Sequence, residues 1–291
     1  MSVGAARLGP SPRGDRIRGT AFYVVLLVCV TAGFVLLGAL LIDVIRKGVG
    51  YLDPVLFTEP NSTNPEKAGA GPAILGTIYM MFLLLVMVVP LGVGTAIYLE
   101  EYANRERWYN RLLEINIQNL AAVPSIVYGI LGLAFLVRGL GLGRVLLAGA
   151  LILTLLVLPT VIVASREAIR AVPDSIRQGA YALGATQWQV VARQVLPAAI
   201  PGIATGSILA LARAIGETAP LLLVGALTYV VVNPTLLGSF TALPVQIYQW
   251  ITRPQDEFRL LAAAGIIVLL AILLTMNAFA IWLRNRYQRR W

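Results

Sequence analysis

Histidine is absent from this chain of 291 residues, and there is a single cysteine, Cys29. The first absence removes Ser-His-Asp triads and histidine-based zinc or haem sites. The second forbids an intrachain disulfide. Cys29 lies in an apolar run with nothing nearby to stabilise a thiolate, so it reads as lipid-facing or packing filler. Lysine is nearly missing too: of 23 basic residues only Lys47 and Lys67 are lysines. They follow Arg46 and Glu66, so there is no Gly-Lys pair for a phosphate-cradling Walker loop. The chain cannot supply an ordinary Walker ATPase site. Charge of either sign is scarce, at 13% of residues, where a soluble domain carries about 25%.

What fills the chain instead is apolar: 58% of residues are hydrophobic and the mean hydropathy is +0.79. A helix crossing a ~30 Å hydrocarbon core needs about 20 mainly apolar residues. Six segments qualify, near Ala21–Ile42, Ala73–Leu99, Ile115–Val137, Val145–Ala164, Ala198–Val232 and Leu260–Leu283. An all-α fold of six transmembrane helices is therefore expected. The second and fifth spans are long enough to tilt or break, and carry Pro90 and Pro220 internally. The first is longer than a signal-peptide core and lacks a small-residue cleavage site, so it reads as retained.

The net charge of +9 is spread between the spans rather than clustered, which favours membrane topology over nucleic acid. With a cytoplasmic N-terminus, fifteen basic residues fall in inside segments and seven outside. The inside set holds Arg7 to Arg18, Arg105 to Arg111, Arg166 to Arg193 and Arg284 to Arg290. That asymmetry predicts cytoplasmic termini. The expected layout is a basic, disordered head over 1–19, a permease domain over 20–284 and a basic tail over 285–291. Residues 43–72 and 233–257 are expected as outside loops, the second with Tyr248 and Trp250 as interfacial anchors. Glu100 and Glu101, at the inside end of span two, are expected to be solvated. No internal repeat is visible, so an inverted-repeat transporter finds no support.

The inside loop over 166–197 is the most informative stretch. Ser175 with Gln178, and Thr186 with Gln189, fit the capping box that starts a helix. Gly184 between them supplies freedom for a sharp reversal, and Pro197 suits the first turn of the next span. Two short helices around a glycine present a rigid knob. This loop resembles the EAA signature of ABC importer permeases, a triplet followed four residues later by glycine and then by Leu-Pro. Gln178-Gly179-Ala180 stands for the triplet, Gly184 for the glycine, and Leu196-Pro197 for the end. The departures are Gln for Glu, Gly for the first Ala, and Gln194 where an aliphatic residue is common.

Three further stretches resemble the signatures of PstA-type permeases of phosphate importers. They are Gly76-Thr77 with Pro90-Leu91-Gly92 and Ala96 to Ala103; Val123-Pro124-Ser125-Ile126-Val127-Tyr128-Gly129; and Arg213 to Pro220. The resemblance implies that the loop is a cytoplasmic coupling element docking on a partner ATPase dimer. It also implies a PstC-type second permease, an extracytoplasmic phosphate-binding protein, and phosphate as cargo. No cofactor is expected on this chain; ATP and magnesium would belong to the partner ATPase. The rivals are importers of other oxyanions such as sulfate or molybdate, an ion-coupled secondary transporter, and a membrane enzyme.

Arg213 lies sixteen residues beyond Pro197, about 24 Å along a helix at 1.5 Å per residue. A charge at that depth costs at least about 2.5 kcal/mol, so it must face protein, water or a partner. Glu217 follows at i+4 on the same face, and Thr218 adds a hydroxyl. Two readings stay open. Arg213 offers forked donors to phosphate oxygens while Glu217 accepts the P–OH hydrogen that sulfate lacks, or the two merely form a buried pair. In span three, Ser125, Tyr128 and Gln118 are either donors along the route or helix-to-helix hydrogen bonds. Gly202 and Gly206 read as a close-packing pair.

Overall fold

A polypeptide in hydrocarbon must satisfy its backbone internally, and helices do this segment by segment. The computed structural model describes residues 13–104, 106–226, 230 and 232–287, and all regular structure among them is helical. In chain order the helices are α1 (Arg13–Gly48), α2 (Pro54–Thr58), α3 (Gly71–Ile97), α4 (Trp108–Ala121), α5 (Ser125–Gly132) and α6 (Leu146–Arg170). Then come α7 (Asp174–Ala182), α8 (Gln187–Val190), α9 (Leu196–Ile215), α10 (Ala219–Val224), α11 (Leu243–Ile251) and α12 (Asp256–Tyr287). Wider π turns prolong α3 over Tyr98–Tyr102 and α5 over Leu133–Gly139, and join α8 to α9 over Val191–Val195.

Among the described residues five helices are long and apolar enough to cross a membrane, and α4 with α5 supplies a sixth crossing if the bent pair counts as one. The third span is thus not the straight Ile115–Val137 helix expected. It bends by 104° between α4 and α5, at Pro124, which has no N–H to donate and disfavours helical backbone before it. The Tyr128 hydroxyl donates to the Leu120 carbonyl at 2.9 Å, across the bend, as a second donor beside the Val123 N–H at 3.2 Å, and so ties α5 to the end of α4.

The fifth span does not run to Val232. It stops at Ile215, and the chain re-enters helix as α10 with Pro220 in its first turn, where a missing N–H costs nothing. Gly225, at φ +103°, ends α10, a backbone state that a Cβ disfavours. By contrast α3 passes through Pro90 unbroken.

The segment 233–257 is no solvated loop. It carries α11, with Leu243, Val245 and Trp250 fully buried. Trp250 is not an interfacial anchor: its Nε1 donates to Asn61 Oδ1 at 3.1 Å inside the fold, while Tyr248 is exposed. The reason is capping. Leu146 and Leu147, in the first turn of α6, donate to the carbonyls of Gly238 and Leu236, and Leu243 of α11 donates to Thr77 Oγ1 at 2.8 Å. Helix ends that must find acceptors draw the segment inward. Gly76 permits this, since a Cβ there would lie 2.2 Å from the Thr241 carbonyl oxygen. Of the head expected to be disordered, residues 13–19 begin α1, and 1–12 lie outside the described residues, as do 288–291 of the tail.

The core sits where α3, α6 and α9 meet, around Met80, Leu84, Val88, Leu153, Val157 and Ala210. Gly202 and Gly206 face Ala168 and Ala164 of α6, and an added Cβ would stand 2.7 and 2.4 Å from the alanine methyls. The two glycines therefore set the α6–α9 approach, as small-residue spacing predicts. Gly206→Val should destabilise the chain by about 1–3 kcal/mol through overpacking, read as thermal unfolding in detergent. Adding Ala164→Gly should recover part of the loss.

Candidate functional site

The α9–α10 break and the α4–α5 bend lie against each other, α5 packing on α10 so closely that a Cβ on Gly129 would stand 2.8 Å from Pro220 Cα. Beside them is a cavity of about 30 Å³ lined by Leu120, Ser125, Thr160, Ala210 and Arg213, among others. Arg213 and Ser125 are thus brought together, with Thr160 of α6 as a hydroxyl that sequence reasoning did not single out. A threonine just past Pro159 in an apolar run gave no charge or spacing signal.

The Arg213 side chain is 70% exposed and lies 3.5 Å from Glu217 through Nε. That is beyond good hydrogen-bond distance, and it leaves most of the fork open. Glu217, largely buried, is set by the break rather than by a continuous helix. Thr218 turns its hydroxyl to the Gly216 carbonyl at 3.3 Å, and Tyr128 is spent on Leu120; neither lines the cavity. Gln118 is exposed on α4.

At the other end of α9, the loop over 166–197 forms two short helices around Gly184, which stands at φ +81°. The Ala185 N–H reaches the Ala180 carbonyl and the Gly184 N–H the Tyr181 carbonyl, at 3.2 and 2.9 Å. This double bond pattern closes a helix on a left-handed glycine. Thr186 and Gln189 form the expected reciprocal cap of α8. Ser175 does not: α7 already begins at Asp174, so Ser175 lies inside its first turn. Nor does Leu196-Pro197 start a new helix, because α8 flows into α9 through the π turn over Val191–Val195. Gln178 and Gly179 are exposed on α7, and nothing stands within 4 Å of a Cβ on Gly179. The loop's inner side rests on Ile169, Val172, Val190 and Val195, while Leu183, Trp188 and Tyr181 are exposed, Leu183 to 90%.

The strongest electrostatics were missed in the sequence. Glu100 and Glu101 are not solvated: their side chains are 4% and 8% exposed. Glu100 Oε1 accepts from Arg166 Nε at 2.8 Å and Arg170 Nη2 at 2.9 Å, and Arg166 Nη2 also donates to Glu114 at 2.7 Å. Glu101 accepts from Arg177 Nη2 at 2.9 Å. The π turn that carries both glutamates holds more residues than an α turn, so adjacent side chains diverge less and both point into the protein. The available signal was an acidic pair ending one apolar span and arginines ending another, at one end of adjacent helices.

Among the described residues no group of three or more His, Cys, Asp or Glu is placed to hold a metal ion. Residues 88–291 match the family of binding-protein-dependent transport system inner membrane components. Among curated relatives, the phosphate transport system permease protein PstA 1 of Mycobacterium tuberculosis is 35% identical over 228 residues, spanning 78% of this chain and 74% of that one. The PstA protein of Yersinia pestis is 34% identical over 243 residues, 83% and 81% of the two chains. A crystal structure of a bacterial alginate ABC transporter, in complex with its pentasaccharide-bound periplasmic protein, superposes with a TM-score of 0.65. That likeness covers 92% of this chain and 94% of the other at 18% identity, and it speaks to fold alone. The inward-facing MetNI methionine ABC transporter gives a TM-score of 0.59 over 74% and 92% of the two chains, at 18% identity. The chain belongs to the binding-protein-dependent transport system inner membrane components and is a multi-pass permease subunit of an ATP-driven importer, not an enzyme.

Proposed function

We propose that this permease moves inorganic phosphate inward, with Arg213 as the cation its cargo meets. The observation that carries the reading is the open fork of Arg213, held only loosely by Glu217 beside the Ser125 cavity at the break in the fifth span. A guanidinium offers planar, paired donors to a tetrahedral oxyanion, and irregular backbone at membrane depth is tolerated where it lines a path. Glu217 stands within reach to accept the acidic hydrogen that phosphate retains near neutral pH. Against a fully deprotonated oxyanion the same carboxylate presents repulsion. The names of the curated relatives favour phosphate over other oxyanions.

On this reading the chain pairs with a PstC-type permease whose surface completes the path around the exposed side of Arg213. Its termini and the Gly184 loop face the cytoplasm, as the basic residues favour. An ATPase dimer, which binds the ATP and magnesium, lies under Leu183 and Trp188, and a phosphate-binding protein docks on the opposite face.

Arg213→Gln should abolish phosphate uptake, lowering it at least about tenfold as expected for losing a charge-assisted contact, while the complex still assembles. Arg213→Lys should restore little, since an ammonium lacks the fork. Glu217→Gln should impair phosphate uptake and narrow the preference over sulfate. Uptake normalised to membrane abundance is the readout. Wild-type uptake by Arg213→Gln, or recovery by Arg213→Gln with Glu217→Gln, would make the pair structural only.

A further inference from the structure

The Gly184 loop folds on its own resources. Its turn, the Thr186 cap of α8 and the cluster of Ile169, Val172, Val190 and Val195 account for its shape. The ties made by Glu101 are additional, and they run to a different helix. The buried Glu101 carboxylate accepts at a single oxygen, Oε1, from Nη2 of Arg177 at 2.9 Å and Nε at 3.3 Å, tying it to α7. The main-chain carbonyl of the same residue accepts from Nε2 of Gln187, in the first turn of α8. One residue at the end of α3 therefore grips both arms of the loop, on either side of the Gly184 reversal. Arg177 extends the grip: it also donates to the carbonyls of Ile169 and Val172, where α6 ends.

We infer that Glu101 and Arg177 are positioning residues of the transport cycle, which lock the Gly184 loop to α3 so that displacement of the loop is delivered to the membrane core. This rests on the reading that the loop meets the ATPase. A buried charge-assisted contact to α7, with the Gln187 bond to the Glu101 carbonyl as a second point of attachment on α8, resists both sliding and rotation, which a single apolar contact does not. The helix it grips is the one whose far length packs against α6 and α9 around Met80, Leu84 and Val88. A push on Leu183 or Trp188 thus has a charged strut to α3 besides the chain path through α8 into α9. Without the strut the loop keeps its fold, and the push reaches α9 alone.

The test uses the complete assembly in proteoliposomes and reads phosphate taken up per ATP hydrolysed. Glu101→Gln and Arg177→Gln should each lower that ratio about tenfold, the size of a typical coupling between sites. Yield of the assembly and hydrolysis without binding protein should persist. The double change should cost no more than the worse single, because the two act as one unit. A normal ratio in Glu101→Gln, additive losses, or a loss confined to the amount of assembled complex would overturn the inference. Gly184→Val serves as the reference for the loop itself. If it uncouples while Glu101→Gln does not, only the strut fails; if it couples normally, the docking reading fails.

Discussion

The structure depends on how it disposes of charge at the loop end of the bundle. Arg166, with a side chain 9% exposed, bridges Glu100 of the π turn and Glu114 of α4. Removing Arg166 or Glu100, the two buried members, leaves an uncompensated charge, at a cost of roughly 3–5 kcal/mol. The set therefore specifies one arrangement of α3, α4 and α6 more sharply than apolar packing does, because lipid offers helices no solvent-driven reason to prefer one neighbour over another. Arg166 and Arg170 also sit in the last turns of α6, where the helix dipole favours cations. The opposite end has no such buried ion-pair set among the described residues; it is knit by Thr77 to Leu243, Asn61 to Trp250, and Arg253 to the Ser62 carbonyl and the Phe258 ring.

Between these ends lie two interrupted elements, the α4–α5 bend and the α9–α10 break, and they pack on each other. Each interruption frees main-chain groups within the membrane-spanning part, which is tolerable only where protein or water meets them. At the bend the Leu120 carbonyl accepts from both the Val123 N–H and the Tyr128 hydroxyl, and at the break Thr218 turns to the Gly216 carbonyl. Arg213 ends α9 at the same place, beside Ser125. Long continuous helices thus frame a short discontinuous region, a division also found where transporters bind cargo near the midplane.

Much of this was legible beforehand because membrane spans declare themselves by length and hydropathy. The Gly184 reversal, the Thr186–Gln189 cap and the Gly202–Gly206 contact were each readable, since each depends on residues close in sequence or on spacing along one helix. The failures share a cause. Trp250 was misplaced because a twenty-five-residue stretch of mixed polarity gives no sign that α6 takes acceptors from it or that its own α11 finds one in Thr77 of α3. Glu100 and Glu101 were misread because their partners lie sixty-six and seventy-six residues away in the chain. The break after Ile215 was hinted at by Pro220, yet the same residue type at Pro90 breaks nothing, so proline alone does not decide. The Arg213–Glu217 pair was found from spacing, whereas the Thr160 wall of its cavity required the fold.

On the proposed function, the charged end of the bundle, and with it the Gly184 loop, faces the cytoplasm, and both ATPase docking and inward transport require that orientation. The most direct test is cysteine accessibility at Trp188, which is exposed on α8, using Trp188→Cys in a Cys29→Ser background. A membrane-impermeant thiol reagent should label this position in inside-out vesicles stripped of the ATPase and leave it unlabelled in intact cells. Labelling in intact cells would contradict the orientation, and with it the inward direction of transport.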